Sequence, residues 1–211
     1  MPCRLVPEGR GGLHLWNEDM RALLLLILSG GLLIYGSAPS AATELEGMCR
    51  RIEKLDLGRG GYTLGRILSD QQRRVARENA LSGASPGTYK FKDRDLVIVA
   101  ETQSHRIIVL YEEYAAATRE KLKAVVGDLY LEFGNPTVMA HDKIIYWAYD
   151  HTGKINENRF QQAKEKNEKL DILATIKLNS SEKILGDDGP QTASMYYVIA
   201  SEPALRLVRQ P

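Results

Sequence analysis

The stretch YKFKDRDLVIVAETQSHRIIVLY, residues 89–111, decides the fold class of this chain. It contains three short runs rich in β-branched and aromatic residues, separated only by a few polar, turn-forming residues. The runs predict strands over Tyr89–Lys92, Leu96–Glu101 and Arg106–Tyr111. Because links this short cannot carry a crossover, the three strands are predicted to form an antiparallel meander.

Two amphipathic helices are predicted before this meander. Apolar residues recur at helical spacing over Leu45–Leu55, with Cys49 on the apolar face, and Gly58 ends the pattern. A second helical pattern covers Leu64–Val75, with Thr63 as its predicted N-cap. The apolar side of each helix is expected to be buried.

Helices and strands alternate in the chain after the meander. The strongest helical pattern covers Ala115–Phe133 and stops at Gly134-Asn135-Pro136. The segment Lys143–Tyr149 is apolar on both strand faces, which predicts a central strand. The remaining predicted elements are a polar helix over Glu157–Leu170, strands over Ile172–Leu178 and Met195–Ala200, and an edge strand over Leu205–Val208.

These elements predict an α+β fold, with a mainly antiparallel sheet and helices packed on one face. Their order is α-α-β-β-β-α-β-α-β-β, and hairpins rather than crossovers join most of the strands. The predicted segments are 1–19, an extension that translation from Met20 would leave out; 20–42, a signal peptide; 43–81, an N-terminal helical pair; and 82–211, an α+β domain packed with that pair. The alternative for residues 1–19 is a genuine cytosolic extension.

The N-terminal region predicts an exported protein. A charge-free apolar run covers residues 22–35, and at about 1.5 Å per residue it is too short for a hydrocarbon core of about 30 Å. A signal peptide needs only such a short run, and small residues at Ser40 and Ala42 suit cleavage before Thr43. We therefore expect a periplasmic or secreted domain. The alternatives are an uncleaved membrane anchor over 22–35 and a core helix.

The composition is that of a folded domain with little overall charge. Of 211 residues, 44% are hydrophobic and 26% are charged, and the formal net charge is +1. No global field therefore attracts nucleic acid, and an exported chain does not meet it. Basic residues nevertheless outnumber acids between Arg50 and Arg77. Such a segment suits an anionic membrane surface or an acidic partner, and a solvated helix face is the alternative.

A candidate partner surface combines this basic segment with two aromatic residues. Trp147 and Tyr149 lie on one face of a predicted strand, where aromatic side chains line a partner site or pack in the core. The candidate surface consists of Arg66, Arg73, Arg74, Arg77, Trp147 and Tyr149.

No catalytic, cofactor-binding or metal-binding residue is assigned from the sequence. His141-Asp142 and Asp150-His151 flank a strand about 23 Å long, too far apart to share a metal ion. The glycines of Gly58–Gly65 lack the G-x-G-x-x-G spacing and the preceding strand of a dinucleotide site. Ser104-His105 and Cys49 carry no local signature of a nucleophile. A non-enzymatic role is expected, without a cofactor.

One part of the chain resembles a known family. The helix Arg119–Phe133, the turn Gly134-Asn135-Pro136-Thr137, the run IIYWAY at 144–149 and Gly153 look like the small envelope modules of the SmpA/OmlA (BamE-like) type. The resemblance implies an exported, non-enzymatic module that supports outer-membrane assembly through protein contacts. This chain departs from the family in its greater length and in having no lipid-acceptor cysteine at the end of its apolar run.

The sequence therefore favours an exported, non-enzymatic module that binds a protein or an envelope component. One alternative is a small-ligand-binding protein or an enzyme whose site forms only in three dimensions. Another is a membrane-tethered structural component of a larger assembly. A deep pocket with converging charges would favour the ligand site, whereas a shallow sheet with an exposed aromatic patch would favour the binding module.

Overall fold

Helices and strands alternate in the computed structural model, which describes residues 41–184 and 192–209. The helices are α1 (Ala41–Glu53), α2 (Asp70–Glu78), α3 (Arg119–Phe133), α4 (Glu157–Glu165) and α5 (Glu202–Arg209). The strands are β1 (Gly58–Arg59), β2 (Tyr62–Thr63), β3 (Ala80–Leu81), β4 (Thr88–Asp93), β5 (Leu96–Glu101), β6 (Ile107–Thr118), β7 (Val138–Ala140), β8 (Ile144–Asp150), β9 (Gly153–Ile155), β10 (Ala174–Ser180) and β11 (Thr192–Ala200).

Nine of these strands form one sheet in the order β3-β4-β5-β6-β11-β10-β8-β7, and β9 also pairs with β8. Every strand pairing in the sheet is antiparallel. The α+β fold class is confirmed, and so is the antiparallel meander, which consists of β4, β5 and β6. Strand β6 continues to Thr118, so Ala115 belongs to a strand rather than to the following helix.

The core lies on one side of the sheet, which we call the first face. Alternate residues of the central strands are fully buried there, because strand side chains point to opposite faces in turn. Helices α1, α2, α3 and α5 all contribute buried side chains to this cluster. Its largest fully buried members include Trp147, Tyr197, Phe91, Ile98, Leu110 and Ile145.

Helix α4 packs on the opposite side of the sheet, the second face. Asp150 lies three positions after the core residue Trp147 on β8. Because successive strand side chains point to opposite faces, the Asp150 side chain points to the second face. There it forms an ion pair of 2.5 Å with Arg159 of α4. Ala148 and Ile155, a cross-strand pair on this face, are fully buried, and neither belongs to the core cluster. Four helices therefore pack on the first face and one on the second.

The second predicted helix begins later than the sequence pattern indicated. Helix α2 starts at Asp70, and Ser69 is its N-cap in a reciprocal capping box with Gln72. Thr63, the predicted N-cap, lies in β2 instead. The preceding glycines form a β-hairpin turn rather than a joint between helices: Gly60 and Gly61 both have positive φ, as a tight hairpin turn requires.

The predicted edge strand Leu205–Val208 is wrong, because these residues belong to α5. The buried Ser201 hydroxyl accepts a hydrogen bond from the Ala204 N–H at the start of this helix, which satisfies one of its unpaired donors. The short strands β7 and β9 were not predicted. They join β8 through tight turns, and two consecutive residues with positive φ, His141 and Asp142, form the β7–β8 turn.

The predicted extension 1–19 and most of the predicted signal peptide 20–42 lie outside the described residues. Cleavage before Thr43 would remove the first two residues of α1. Among residues 41–184 and 192–209, no helix is long and apolar enough to cross a membrane.

Candidate functional site

The second face carries apolar side chains in register across many strands. Strand pairing places one residue from each of seven adjacent strands in a single cross-strand row. Because these residues are direct neighbours, their side chains pack side by side on the sheet surface. The row runs through Lys92, Val97, Tyr111, Val198, Lys177, Tyr146 and Val138.

Five apolar residues on β5, β6 and β11 form what we call the valine–tyrosine patch. Its members are Val97, Val99, Tyr111, Tyr196 and Val198. Val97 is 8% exposed, and the other four are partly buried. In the described part of the chain, the buried side chains of α1, α2, α3 and α5 belong to the first face, so α4 is the helix that covers part of the second. The ion pair with Asp150 places α4 at β8, and β10 separates β8 from the patch.

Charged residues flank the patch on both sides. Lys90 and Lys92 lie on β4, next to the valines of β5, and Lys177 lies on β10, next to Val198 of β11. The acid Glu113 also lies on this face, where it pairs across the strands with Tyr196. Lysines therefore border the apolar strip on both long sides, and the local charge is positive.

The tyrosines of the second face combine apolar rings with polar ends. Burial and the nearby negative charge of Glu113 raise the pKa of Tyr111. The Asn179 side chain donates a hydrogen bond of 3.0 Å to the Tyr196 hydroxyl. Both side chains therefore offer a large apolar ring with a polar tip, a combination enriched at protein interfaces.

A polar cleft of about 470 Å³ lies between α4, the segment after it and the β8–β9 turn. Cations and acids both line it, among them Arg159, Lys166, Asp150 and Asp171. Burial opposes the ionisation of Asp150, but hydrogen bonds from Thr152 and the Arg159 guanidinium outweigh it and hold the Asp150 pKa below its ordinary value. The Asp150 carboxylate in this cleft therefore attaches α4 to the sheet through its ion pair with Arg159.

A polar network on the first face also joins structural elements. Glu112 accepts hydrogen bonds from the hydroxyls of Tyr197, at 2.6 Å, and Tyr114. Arg59, from the β1–β2 hairpin, lies over the Tyr197 ring and forms an ion pair of 2.9 Å with Glu132 of α3. The network thereby ties the hairpin and α3 to the sheet.

Two residues of the sequence-predicted surface belong to the core instead. Trp147 is fully buried, contacts the Tyr130 and Phe133 rings of α3, and donates a hydrogen bond of 2.8 Å to the Gly134 carbonyl. Tyr149 is 7% exposed on the same face of β8. The alternative of core packing is therefore correct for both residues.

Of the four arginines in the predicted surface, Arg66, Arg74 and Arg77 are exposed and Arg73 is partly buried. Arg73, Arg74 and Arg77 lie on α2, and Arg73 forms a salt bridge with Asp70 one turn away. Arg66 lies before α2 and forms an ion pair of 3.4 Å with Glu53. The structure brings three of the arginines onto one helix but does not join them to Trp147 and Tyr149.

The other residues weighed for chemistry have local structural partners. Glu101 accepts hydrogen bonds from the Ser104 hydroxyl, at 2.6 Å, and from two turn N–H groups. His105 is hydrogen-bonded to Tyr89 at 2.9 Å. Cys49 is fully buried on α1, where desolvation raises the thiol pKa to about 11, so a disulfide between chains would require α1 to move. Within the described residues, no group of His, Cys, Asp and Glu is placed to hold a metal ion.

Comparisons with protein-family models, curated proteins and solved structures found no significant match to this chain. The candidate site therefore rests on the geometry of the second face.

Sequence reasoning missed the valine–tyrosine patch, although a signal for it exists. The runs LVIVA at 96–100 and IIVL at 107–110 are apolar without interruption. An uninterrupted apolar strand presents apolar side chains to both faces of a sheet. The rule that predicts a central strand over Lys143–Tyr149 therefore also predicts a second apolar face at the meander.

Proposed function

We propose that this chain is an exported, non-enzymatic module that binds a polypeptide partner through the valine–tyrosine patch. The observation that carries the proposal is the in-register apolar surface on β5, β6 and β11, four of whose five residues are partly exposed. Contiguous apolar surface rimmed by charge is typical of protein interaction sites. The SmpA/OmlA resemblance also implies a role through protein contacts, so it favours the same class of function.

Photo-crosslinking in the native host tests the binding surface. A benzoylphenylalanine residue replaces Tyr111 in the patch, and a matched variant carries it in place of Leu131 on α3, which is 90% exposed. We expect a defined polypeptide adduct from position 111 and none from position 131. Adducts of equal yield from both positions, or none from position 111, would overturn the proposal.

Intact mass tests the export part of the proposal. We expect protein recovered from the native host to begin at Thr43, because the apolar run and the small residues before it suit a signal peptidase. A recovered chain that retains residues 22–35 would instead support the tethered alternative.

A further inference from the structure

We infer that the partner segment seated on the valine–tyrosine patch is an amphipathic helix with acidic residues along both margins of its apolar face. The inference rests on the proposed function and adds the chemistry of the occupant. It follows from the width of the patch, the interior position of its strands and the charges beside it.

The patch has the footprint of a helix. It spans three adjacent strands, and neighbouring strands lie about 4.8 Å apart, so the apolar strip is about 10–15 Å wide once side chains are included. An α-helix with its side chains is about 10–12 Å in diameter. Its residues at i, i+3, i+4 and i+7 present an apolar stripe of matching width.

An added strand does not fit this location. Strand addition needs an unpaired sheet edge, because the incoming chain binds through backbone hydrogen bonds. Strands β5, β6 and β11 are interior strands, and each pairs with a neighbour on both sides along the patch. The partner must therefore bind through side chains on the surface of the sheet.

The flanking lysines specify the margins of the helix. Lys90 and Lys92 border the patch on β4, and Lys177 borders it on β10. A helix with acids on both sides of its apolar stripe places carboxylates opposite both borders. A basic amphipathic helix would place like charges together, which costs affinity and selects against it.

The test combines the crosslinker at position 111 with charge reversal at each border. Lys92→Glu and Lys177→Glu place an acid on either side of the patch, and Arg74→Glu on α2 is the matched control. We expect each border variant to lower the adduct yield about tenfold or more, since repulsion replaces attraction at the interface, and Arg74→Glu to leave it unchanged. Unfolding curves of the three variants verify that each is folded.

The crosslinked segment then identifies the occupant. A synthetic peptide of that segment should carry apolar residues at helical spacing flanked by Asp or Glu, and should gain helicity when it binds this protein. A polypeptide adduct whose segment is basic, extended or derived from a second copy overturns the inference that the occupant is an acidic amphipathic helix. That result leaves the proposed function standing. A lipid adduct, or the absence of any adduct from position 111, overturns both.

Discussion

The two faces of the sheet are built by the same strands and end in different environments. On β8 and β11, Trp147 and Tyr197 point to the first face and are fully buried under helices. Tyr196 and Val198, their neighbours on the second face, remain partly exposed. Both faces are apolar, so alternation alone does not distinguish them. The difference arises from the helices, four of which close the first face while one covers an end of the second.

The largest expected effect is the loss of folding stability caused by a substitution on the first face. Trp147→Ala removes a fully buried ring, its hydrogen bond to Gly134 and its contacts with α3. We expect it to lower the free energy of unfolding by about 3–5 kcal/mol, the range for large-to-small core changes. Urea denaturation measures the loss. A cost below about 1 kcal/mol would show that the first face is not the core.

The second prediction concerns the one helix on the second face. Asp150→Asn removes the charge that holds Arg159 of α4, and we expect it to cost about 1.5–3 kcal/mol at pH 7. The folded pKa of Asp150 lies below its ordinary value of 3.8, so its contribution is present at neutral pH and is lost as the pH falls through the folded pKa. The gap between wild type and variant should therefore shrink from pH 7 to pH 2. A gap that stays constant over this range would contradict the assigned ionisation.

A smaller effect is expected at the N-terminus of α2, which packs against β4 on the covered side. Ser69→Ala removes the hydroxyl that accepts a hydrogen bond from the Gln72 N–H. The expected loss is about 1 kcal/mol, as for other N-cap substitutions, and the same denaturation experiment detects it. Thr63→Ala is the control, since the sequence pattern alone would have placed the cap there. A larger loss from Thr63→Ala would contradict the observed helix start.

The smallest effect on stability is expected in the valine–tyrosine patch. Tyr111→Ser removes a cross-strand contact with Val198 and Val97, worth about 0.2–1 kcal/mol. The same variant should sharply reduce capture of the partner when the crosslinker is moved to position 198. A stability loss similar to that of Trp147→Ala would mean that the two faces are equivalent, and the contrast between them would be lost.

The sequence was most informative where periodicity was local. The bounds of β5 match its predicted run, and α3 ends at Phe133 as the following glycine and proline indicate. The start of α2 was misplaced because Leu64 and Leu68 fit a helical spacing, yet they are buried by tertiary contacts outside the helix. The apolar residues of α5 also fit a short strand, and only the hydrogen bond of the Ser201 hydroxyl at its start distinguishes the helix.

The candidate site was less predictable, because it depends on which elements lie above the sheet. Trp147 and Tyr149 have the composition of an interface, and only the position of α3 makes them core. Tyr111 and Val198 lie far apart in sequence and become neighbours through the pairing of β6 with β11. Periodicity in a single sequence indicates which face of a sheet a side chain points to. Whether that face is buried depends on elements that lie far away in the sequence.

The attachment of α4 also has a consequence for local unfolding. Ala163 is its one buried residue, and α4 adds no side chain to the main core cluster. Detaching it exposes little apolar area compared with opening the central strands, so α4 should form a separate cooperative unit of low opening free energy. In native-state hydrogen exchange, amides of α4 would lose protection before those of β10 and β11. Each opening would break the Arg159–Asp150 ion pair and expose the buried side chain of Ala163 on the second face.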